Sequence, residues 1–288
     1  MTTSDSLPGG TLSLGDLAIS RMGFGAMQLA GPGVMGPPKD LDAAREVLRT
    51  AVELGVTHID TSDFYGPHLV NELIRDTLRP YPEALRLVTK VGARRNDKGE
   101  WLPAWRPEQL REAVQDNLRN LGVEALDVVN LRVMPPNSSG QRFADSLGAL
   151  AELQQQGLIR HLGLSEVDAS HLDAAAAIAP IVCVQNEYNL AKRGDDPLID
   201  RLEAEGRVYV PYFPLGGFTP LQSAVLDAVA QRLGRSAQAV ALAWLLQRSP
   251  AIAVIPGTSS PAHLRDNVAA AELVLDEATL LELEEIGG

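Results

Sequence analysis

Short apolar runs and longer amphipathic stretches alternate along most of this chain. Thr11–Ser20 reads as two short strands, Leu12–Leu14 and Leu17–Ser20, turned at Gly15-Asp16, which is a hairpin signal. Met22–Phe24 reads as a third strand. Leu41–Leu54 then carries apolar Leu41, Ala44, Leu48, Ala51 and Val52 at helical spacing, with Asp40 placed to cap its start and Gly55 following its end. The same alternation continues: strand His58–Asp60 and helix Val70–Leu78; strand Leu85–Lys90, a long polar loop Arg94–Trp105, and helix Pro107–Leu121. Strand Ala125–Leu131 precedes helix Ala144–Gln156, strand Ile159–Leu164 precedes helix Ala169–Ala179, and strand Ile181–Gln185 precedes helix Pro197–Glu205. Strand Val208–Tyr212 leads into two helices, Leu221–Leu233 and Ser236–Gln247. Strand Ile252–Ile255 leads into helix Pro261–Ala271, and a last helix covers Asp276–Ile286.

Counted from Met22, eight strands are each followed by a helix, a pattern that demands parallel strands with helical crossovers. Eight such units in one chain of 288 residues predict an α/β fold, a closed (β/α)8 TIM barrel with an N-terminal β-hairpin and an extra C-terminal helix, forming a single domain over residues 1–288. The competing architecture is an open doubly wound sheet. Gly31–Gly36, G-P-G-V-M-G, formally matches the dinucleotide-binding pattern such a sheet carries. Pro32 inside it and Pro37-Pro38 after it make it a poor opening for a helix that aims amides at a pyrophosphate. It reads instead as a proline-stiffened loop over a site.

The composition, 45% hydrophobic and 22% charged, is that of a globular protein, and 25 basic against 37 acidic residues give a net charge of −12. That acidity excludes a nucleic-acid-coating role, which needs a basic face. Cys183 is the only cysteine, so no intrachain disulfide forms, and its apolar surroundings, Ile181-Val182-Cys183-Val184, predict a buried, inert thiol. No basic-then-apolar leader opens the sequence, and its apolar runs are too short to span a bilayer. A cytoplasmic location without membrane attachment is the expectation. His58, His68, His161, His171 and His263 show no metal-ligand spacing and read as solvated or locally bonded, so no metal site is expected.

In a barrel of this kind the C-terminal strand ends face one shared site. The second strand ends in Asp60, with Tyr65 in its loop; the third in Lys90; the fourth in Arg132; the fifth in Ser165-Glu166; the sixth in Gln185-Asn186-Glu187. The seventh ends in Tyr212, then Pro214-Leu215-Gly216-Gly217, and the eighth in Pro256-Gly257-Thr258-Ser259-Ser260. Taken singly, each has a structural explanation as a cap, a turn residue, core, or a lysine stem covering apolar surface. Together they bring a phenol, an ammonium and a carboxylate into one pocket. The lysine charge favours phenolate and is expected to lower the Tyr65 pKa, while Asp60 holds the lysine. That makes Tyr65 a proton donor and acceptor. Trp101 and Trp105, in the long third loop, are candidates for the wall of an aromatic substrate site, with plain surface packing as the alternative.

The stretches I-D-T-S-D-F-Y-G, V-T-K-V-G, I-R-H-L-G-L-S-E, V-Q-N-E-Y-N, P-Y-F-P-L-G-G and V-I-P-G-T-S-S…N resemble, in order and spacing, the motifs of the aldo-keto reductase superfamily. Within it the sequence is most similar to bacterial pyridoxal reductases, through G-A-M-Q-L-A-G-P-G-V, H-I-D-T-S-D-F-Y-G-P-H, L-D-V-V-N-L-R-V-M and A-L-A-W-L-L-Q-R-S-P. The resemblance implies NADP(H) bound without a Rossmann fold, hydride passing to a carbonyl carbon, and Tyr65 supplying the proton. By motif position Asp60 and Lys90 tune Tyr65, Ser165 and Gln185 hold the carboxamide, and Tyr212 stacks on the nicotinamide. Pro214 to Phe218 lie over the pyrophosphate, while Thr258, His263, Asp266 and Asn267, beside Gly257 and Ser259, grip the 2′-phosphate and adenine.

Three departures stand out. Arg132 occupies the usual histidine position at the end of the fourth strand. Glu166 replaces the usual asparagine after the carboxamide serine. The lysine and arginine that often clamp the 2′-phosphate correspond to Gly257 and His263, with Arg265 near enough to substitute. Arginine stays protonated, so Arg132 is expected to orient the carbonyl oxygen or an anionic substrate group such as the phenolate of pyridoxal; pairing with an acid in its loop is the alternative. The implied activity is NADPH-dependent reduction of pyridoxal to pyridoxine. A broad aldehyde and ketone reductase, and a nicotinamide-binding regulatory subunit with little turnover, are the competing readings.

Overall fold

The computed structural model describes residues 7–135, 140–217 and 222–287. Strands β1 (Thr11–Leu14) and β2 (Leu17–Ser20) form an antiparallel hairpin. The barrel follows, beginning with β3 (Phe24–Gly25), α1 (Leu41–Glu53), β4 (His58–Asp60), α2 (Leu69–Leu78) and β5 (Arg86–Val91). Next come β6 (Ala93–Arg95), β7 (Trp101–Pro103), α3 (Pro107–Leu121), β8 (Leu126–Arg132), α4 (Gly140–Gln155), β9 (Ile159–Ser165) and α5 (Ala169–Ala175). The rest are β10 (Ile181–Gln185), α6 (Asp196–Ala204), β11 (Val208–Tyr209), α7 (Ala224–Leu233), α8 (Ala237–Arg248), α9 (Pro261–Ala269) and α10 (Glu277–Glu284). The predicted start of the helix at Leu221 lies outside the described residues.

Seven strands pair in the parallel order β11-β10-β9-β8-β5-β4-β3. The expected eighth strand, Ile252–Ile255, is a short bridging segment. Ile252 pairs in parallel with Tyr209 and Val254 with Met22, joining the two edges of the curled sheet. The (β/α)8 prediction therefore stands.

Apolar residues sort into two layers. Val88, Val128, Cys183, Val208, Val210, Ala253 and Ile255 fill the barrel interior, and Leu14, Leu17 and Ile19 of the hairpin join that cluster and plug its N-terminal end. A larger layer packs between strands and helices. Strand alternation explains the division: Val88 and Lys90 share a face of β5, so apolar filler gives way to chemistry one step along the same face. With the bottom sealed, polar side chains concentrate at the C-terminal mouth.

Two expectations need correction. The segment after β5 is not a plain loop, because β6 and β7 pair antiparallel as a second hairpin, Arg95 opposite Trp101. Its polar residues hide any hydrophobic alternation. The pairing is local, turned by Asn96, whose Oδ1 accepts from the backbone N–H of Lys98 at 3.1 Å and of Glu100 at 2.9 Å. His58 is neither solvated nor bonded: it is fully buried, and neither ring nitrogen has a partner among the described residues. Two residues before Asp60 on β4, it packs against Gly23, where an added Cβ would lie 2.9 Å from its Nδ1. Burial, helped by the Lys90 charge and opposed by Asp60, pushes its pKa down to about 4. The other expected local bonds form: His161 to Asp16, His171 to Asp168, and His68 to Asp63 at 2.6 Å.

Candidate active site

The mouth of the barrel holds a cavity of about 250 Å3. Asp60, at the end of β4, and Lys90, one residue before the end of β5, reach into it from adjacent strands. The Lys90 ammonium donates to Asp60 Oδ1 at 2.5 Å and to the Thr61 carbonyl at 3.1 Å. It lies 5.3 Å from the centre of the Tyr65 ring, close enough for its charge to act on that phenol. All three side chains are nearly inaccessible: Asp60 is 3%, Lys90 4% and Tyr65 6% exposed. Tyr65 reaches this point because the backbone turns tightly after β4, with the Tyr65 N–H bonded to the Ser62 carbonyl at 3.0 Å.

The electrostatics differ from the sequence expectation in one respect. Burial dominates at Tyr65 and raises its pKa. Lys90 and Arg132 pull it down, while the Asp60 carboxylate opposes them. Tyr65 is therefore a phenol that holds its proton near neutrality rather than an acidified one. Burial also works against the Lys90 charge, but Asp60 and Tyr65 together outweigh it and hold the ammonium above its ordinary value. The result is a neutral O–H donor fixed against a permanent positive charge.

Two expected site residues next to this group, Ser165 and Gln185, do not line the cavity itself but carry unmet hydrogen bonds. Ser165 and Gln185 are both fully buried on paired strands β9 and β10. Among the described residues the Ser165 hydroxyl has no partner. Gln185 Nε2 donates to Asp60 Oδ2 at 2.8 Å, which leaves its Oε1 unpaired. A buried orphan acceptor beside a buried orphan hydroxyl costs free energy unless something fills both. One amide group, with an N–H to give and a carbonyl to receive, matches the pair, so these residues fit a nicotinamide carboxamide. The sequence placed Gln185 here but not its second bond to Asp60.

Arg132 lines the cavity, and no carboxylate pairs with it among the described residues. Its buried Nε has no hydrogen-bond partner, and its guanidinium carbon is 5.9 Å from the Tyr212 ring centre. Tyr212 also lines the cavity; its hydroxyl is held by Glu166, and burial followed by that carboxylate raises its pKa. Pro214, Leu215 and Gly217 form the adjoining rim. Gly217 sits at φ +67°, and a Cβ there would come within 2.4 Å of the Phe213 ring, so the turn requires glycine next to Gly216. Phe218 lies outside the described residues.

Trp101 and Gly257 also line the cavity. Trp101 meets Phe64 edge-on at 5.3 Å, Phe64 meets Tyr65 edge-on at 5.4 Å, and Arg95 lies 4.0 Å over the indole. Arg95 also donates to the carbonyls of Gly33 at 2.8 Å and Gly99 at 2.7 Å, tying the β6–β7 hairpin to the Gly31–Gly36 loop. Trp105 does not line the cavity. It packs near Arg106 and Arg142, and its carbonyl accepts from Ser146 Oγ at 2.8 Å, so it serves the α3–α4 surface.

The expected phosphate-and-adenine residues lie beyond Gly257. Thr258 is buried with its hydroxyl accepting from the Ser260 N–H at 3.1 Å, and Ser259 is exposed. On α9, His263 and Arg265 are exposed, Asn267 is buried, and Asp266 accepts from Ser236 Oγ at 2.5 Å. Met27, Gln28 and Phe64 line the cavity without having been singled out. Phe64 stands next to Tyr65 in the sequence, and Met27-Gln28 directly follow the first barrel strand, which were the available signals.

A phenol beside a buried, carboxylate-held ammonium at a barrel mouth fits proton transfer to or from carbonyl or alcohol oxygens. Residues 21–287 match the model of the aldo/keto reductase family, and the chain belongs to that family. It is 58% identical over 279 residues to pyridoxine 4-dehydrogenase of Escherichia coli K12, covering 96% of this chain and 98% of that protein. It is 38% identical to an uncharacterized oxidoreductase of Schizosaccharomyces pombe, over 98% of this chain and 92% of the relative. Among solved structures, a thermostable aldo-keto reductase in complex with the inhibitor epalrestat superposes with a TM-score of 0.82 at 29% identity, covering 96% of this chain and 98% of that one. The protein is thus an oxidoreductase, and no helix among its described residues is long and apolar enough to cross a membrane.

Proposed function

We propose that this protein is an NADPH-dependent carbonyl reductase that converts pyridoxal to pyridoxine. The observation that carries the reading is buried Tyr65 packed beside the Lys90 ammonium, itself held by Asp60, near the unpaired atoms of Ser165 and Gln185. The pyridoxal assignment draws on the likeness to the Escherichia coli pyridoxine 4-dehydrogenase. NADP(H) draws on the family, on solved Klebsiella pneumoniae neighbours in complex with NADP or NADPH, and on the unpaired hydrogen-bonding atoms of Ser165 and Gln185.

Ser165 and Gln185 would hold the carboxamide, Tyr212 would offer its ring to the nicotinamide, and Pro214 to Gly217 would hold the pyrophosphate. Gly257, Thr258, Ser259, His263, Asp266 and Asn267 would hold the adenosine end, with exposed Arg265 placed to take the 2′-phosphate. When bound, the reduced cofactor would supply the hydride. Tyr65 gives its proton to the carbonyl oxygen as negative charge builds there. The Lys90 ammonium stabilises the phenolate left behind, until water returns the proton. Asp60 keeps Lys90 aimed at Tyr65. Arg132 faces the phenolate of pyridoxal and aligns the ring, and Trp101 with Phe64 forms its apolar wall.

Loss of NADPH absorbance with pyridoxal tests the reading. Wild type oxidises NADPH, and Tyr65→Phe loses at least ~100-fold in kcat, the scale of a general acid, while NADPH still quenches tryptophan fluorescence. Tight NADPH binding with no oxidation by pyridoxal or by small aldehydes overturns it in favour of a nicotinamide-binding regulator.

A further inference from the structure

The layer between strands and helices is built mostly of apolar side chains. Behind Asp60 and Lys90 it is not. Thr61 follows Asp60 and Thr89 precedes Lys90, so strand alternation turns both threonines outward, away from the cavity. There they meet two fully buried asparagines, Asn71 of α2 and Asn117 of α3. Thr61 Oγ1 donates to Asn71 Oδ1 at 2.8 Å, Asn71 Nδ2 to Asn117 Oδ1 at 2.9 Å, and Thr89 Oγ1 to the same Asn117 Oδ1 at 2.6 Å. The chain is anchored where Asn117 Nδ2 donates to the Ala113 carbonyl at 2.8 Å. It branches into the Tyr65 loop, where Asn71 Nδ2 also donates to Asp63 Oδ1 at 3.1 Å.

We propose that Asn71 and Asn117, acting through Thr61 and Thr89, are positioning residues that set the separation of Asp60, Lys90 and Tyr65. The proposal rests on the carbonyl-reductase reading of the cavity. An apolar contact between helix and sheet is satisfied over a range of offsets, whereas a closed run of buried hydrogen bonds has one low-energy register, and any slip leaves a buried donor or acceptor unpaired. Apolar side chains of similar volume would fill the space at no greater cost. What they would not do is tie the two strand ends and the tyrosine loop to common atoms. Proton transfer needs that constraint, since a displacement of about 1 Å at the reacting groups costs on the order of 100-fold in rate.

Thr89→Val is the cleanest perturbation. It is nearly isosteric and leaves no orphan, because Asn117 Oδ1 keeps its bond from Asn71. The expected result is a fall in kcat of roughly 10- to 100-fold, with KM for pyridoxal and Kd for NADPH within about twofold. Thr89→Ser should recover most of the loss. Leu162→Ala, in the apolar layer two strands away, should lower Tm with kcat retained. Should Thr89→Val fail to fold, Thr61→Val breaks the other end; it leaves buried Asn71 Oδ1 unpaired, so Tm also falls, while the expectations for kcat, KM and Kd are the same. A kcat within twofold of wild type, or a loss matched by Leu162→Ala at equal Tm, overturns the proposal. A crystal structure supplies a reading independent of turnover: an Asp60–Lys90 contact still at the wild-type 2.5 Å, with Tyr65 unmoved, overturns it too. Absent wild-type turnover would instead count against the reductase reading.

Discussion

Replacing His58 with leucine removes a protonatable ring from the sealed part of the barrel. In the folded protein that ring is neutral down to about pH 4, because burial penalises its charge and no partner compensates. In the unfolded chain it titrates near 6.5. The folded value is depressed, so below 6.5 the unfolded state takes up a proton that the folded state refuses. The stability associated with His58 is therefore complete above about pH 6.5 and is lost as pH falls from there to about 4. At 1.36 kcal/mol per pKa unit the full loss is roughly 3 kcal/mol. Urea unfolding followed by tryptophan fluorescence at several pH values from 7.5 to 4 measures it. Packing changes in His58→Leu add an offset that does not vary with pH, and the carboxylates titrate alike in both proteins. The difference between the two stability curves should shrink or change sign by roughly 3 kcal/mol across that window, favouring the variant on the acid side. Parallel curves would refute the reasoning and imply that His58 finds a partner or water in solution.

Three further outcomes follow from the site. Arg132→Met should cut kcat/KM for pyridoxal by about 10- to 100-fold, the scale of one charge-assisted hydrogen bond, with a smaller effect on an uncharged aromatic aldehyde; unchanged kinetics with pyridoxal would remove Arg132 from substrate recognition. Gly217→Ala forces the turn off the Phe213 ring and out of its left-handed conformation, so Kd for NADPH measured by fluorescence titration should rise about tenfold, a strain of order 1–3 kcal/mol. Arg95→Ala releases the β6–β7 hairpin from the Gly31–Gly36 loop, and KM for pyridoxal should rise several-fold with Kd for NADPH unchanged.

Repetition and strand ends made most of the fold legible. Each strand–helix unit obeys its own local rules, and eight of them leave few ways to close. The β6–β7 hairpin was hidden because arginines and a tryptophan stacked on each other replace an alternating core face. The eighth strand was readable as an apolar run, yet its brevity, two bridges rather than a ladder, is set by how the two sheet edges meet. At the site, Asp60, Tyr65, Lys90 and Arg132 could be placed from strand ends alone. The direction of the Tyr65 pKa could not, since it depends on how completely the phenol is buried, and sequence spacing shows only that an ammonium is near. His58 illustrates the same limit: nothing local distinguishes a buried, unpartnered ring from a solvated one. Trp105 looked equivalent to Trp101, and the hairpin turns only one of them toward the cavity.

The raised Tyr65 pKa has a bearing on the direction of catalysis under the proposed mechanism. A buried phenol that holds its proton is already in the state needed to donate to a carbonyl oxygen, so reduction needs no prior ionisation. Oxidation of an alcohol needs the opposite state, a phenolate ready to accept, and here burial and the Asp60 carboxylate oppose it while Lys90 and Arg132 favour it. The two cations therefore matter most to the oxidative direction, where they must carry the phenolate before substrate reacts. Arg132→Met removes one of them. Its kcat for pyridoxine oxidation with NADP should require higher pH than wild type, while kcat for pyridoxal reduction, which starts from the neutral phenol, should keep its profile near neutrality. An equal shift in both directions would mean that Tyr65 does not hold the proton in the resting enzyme.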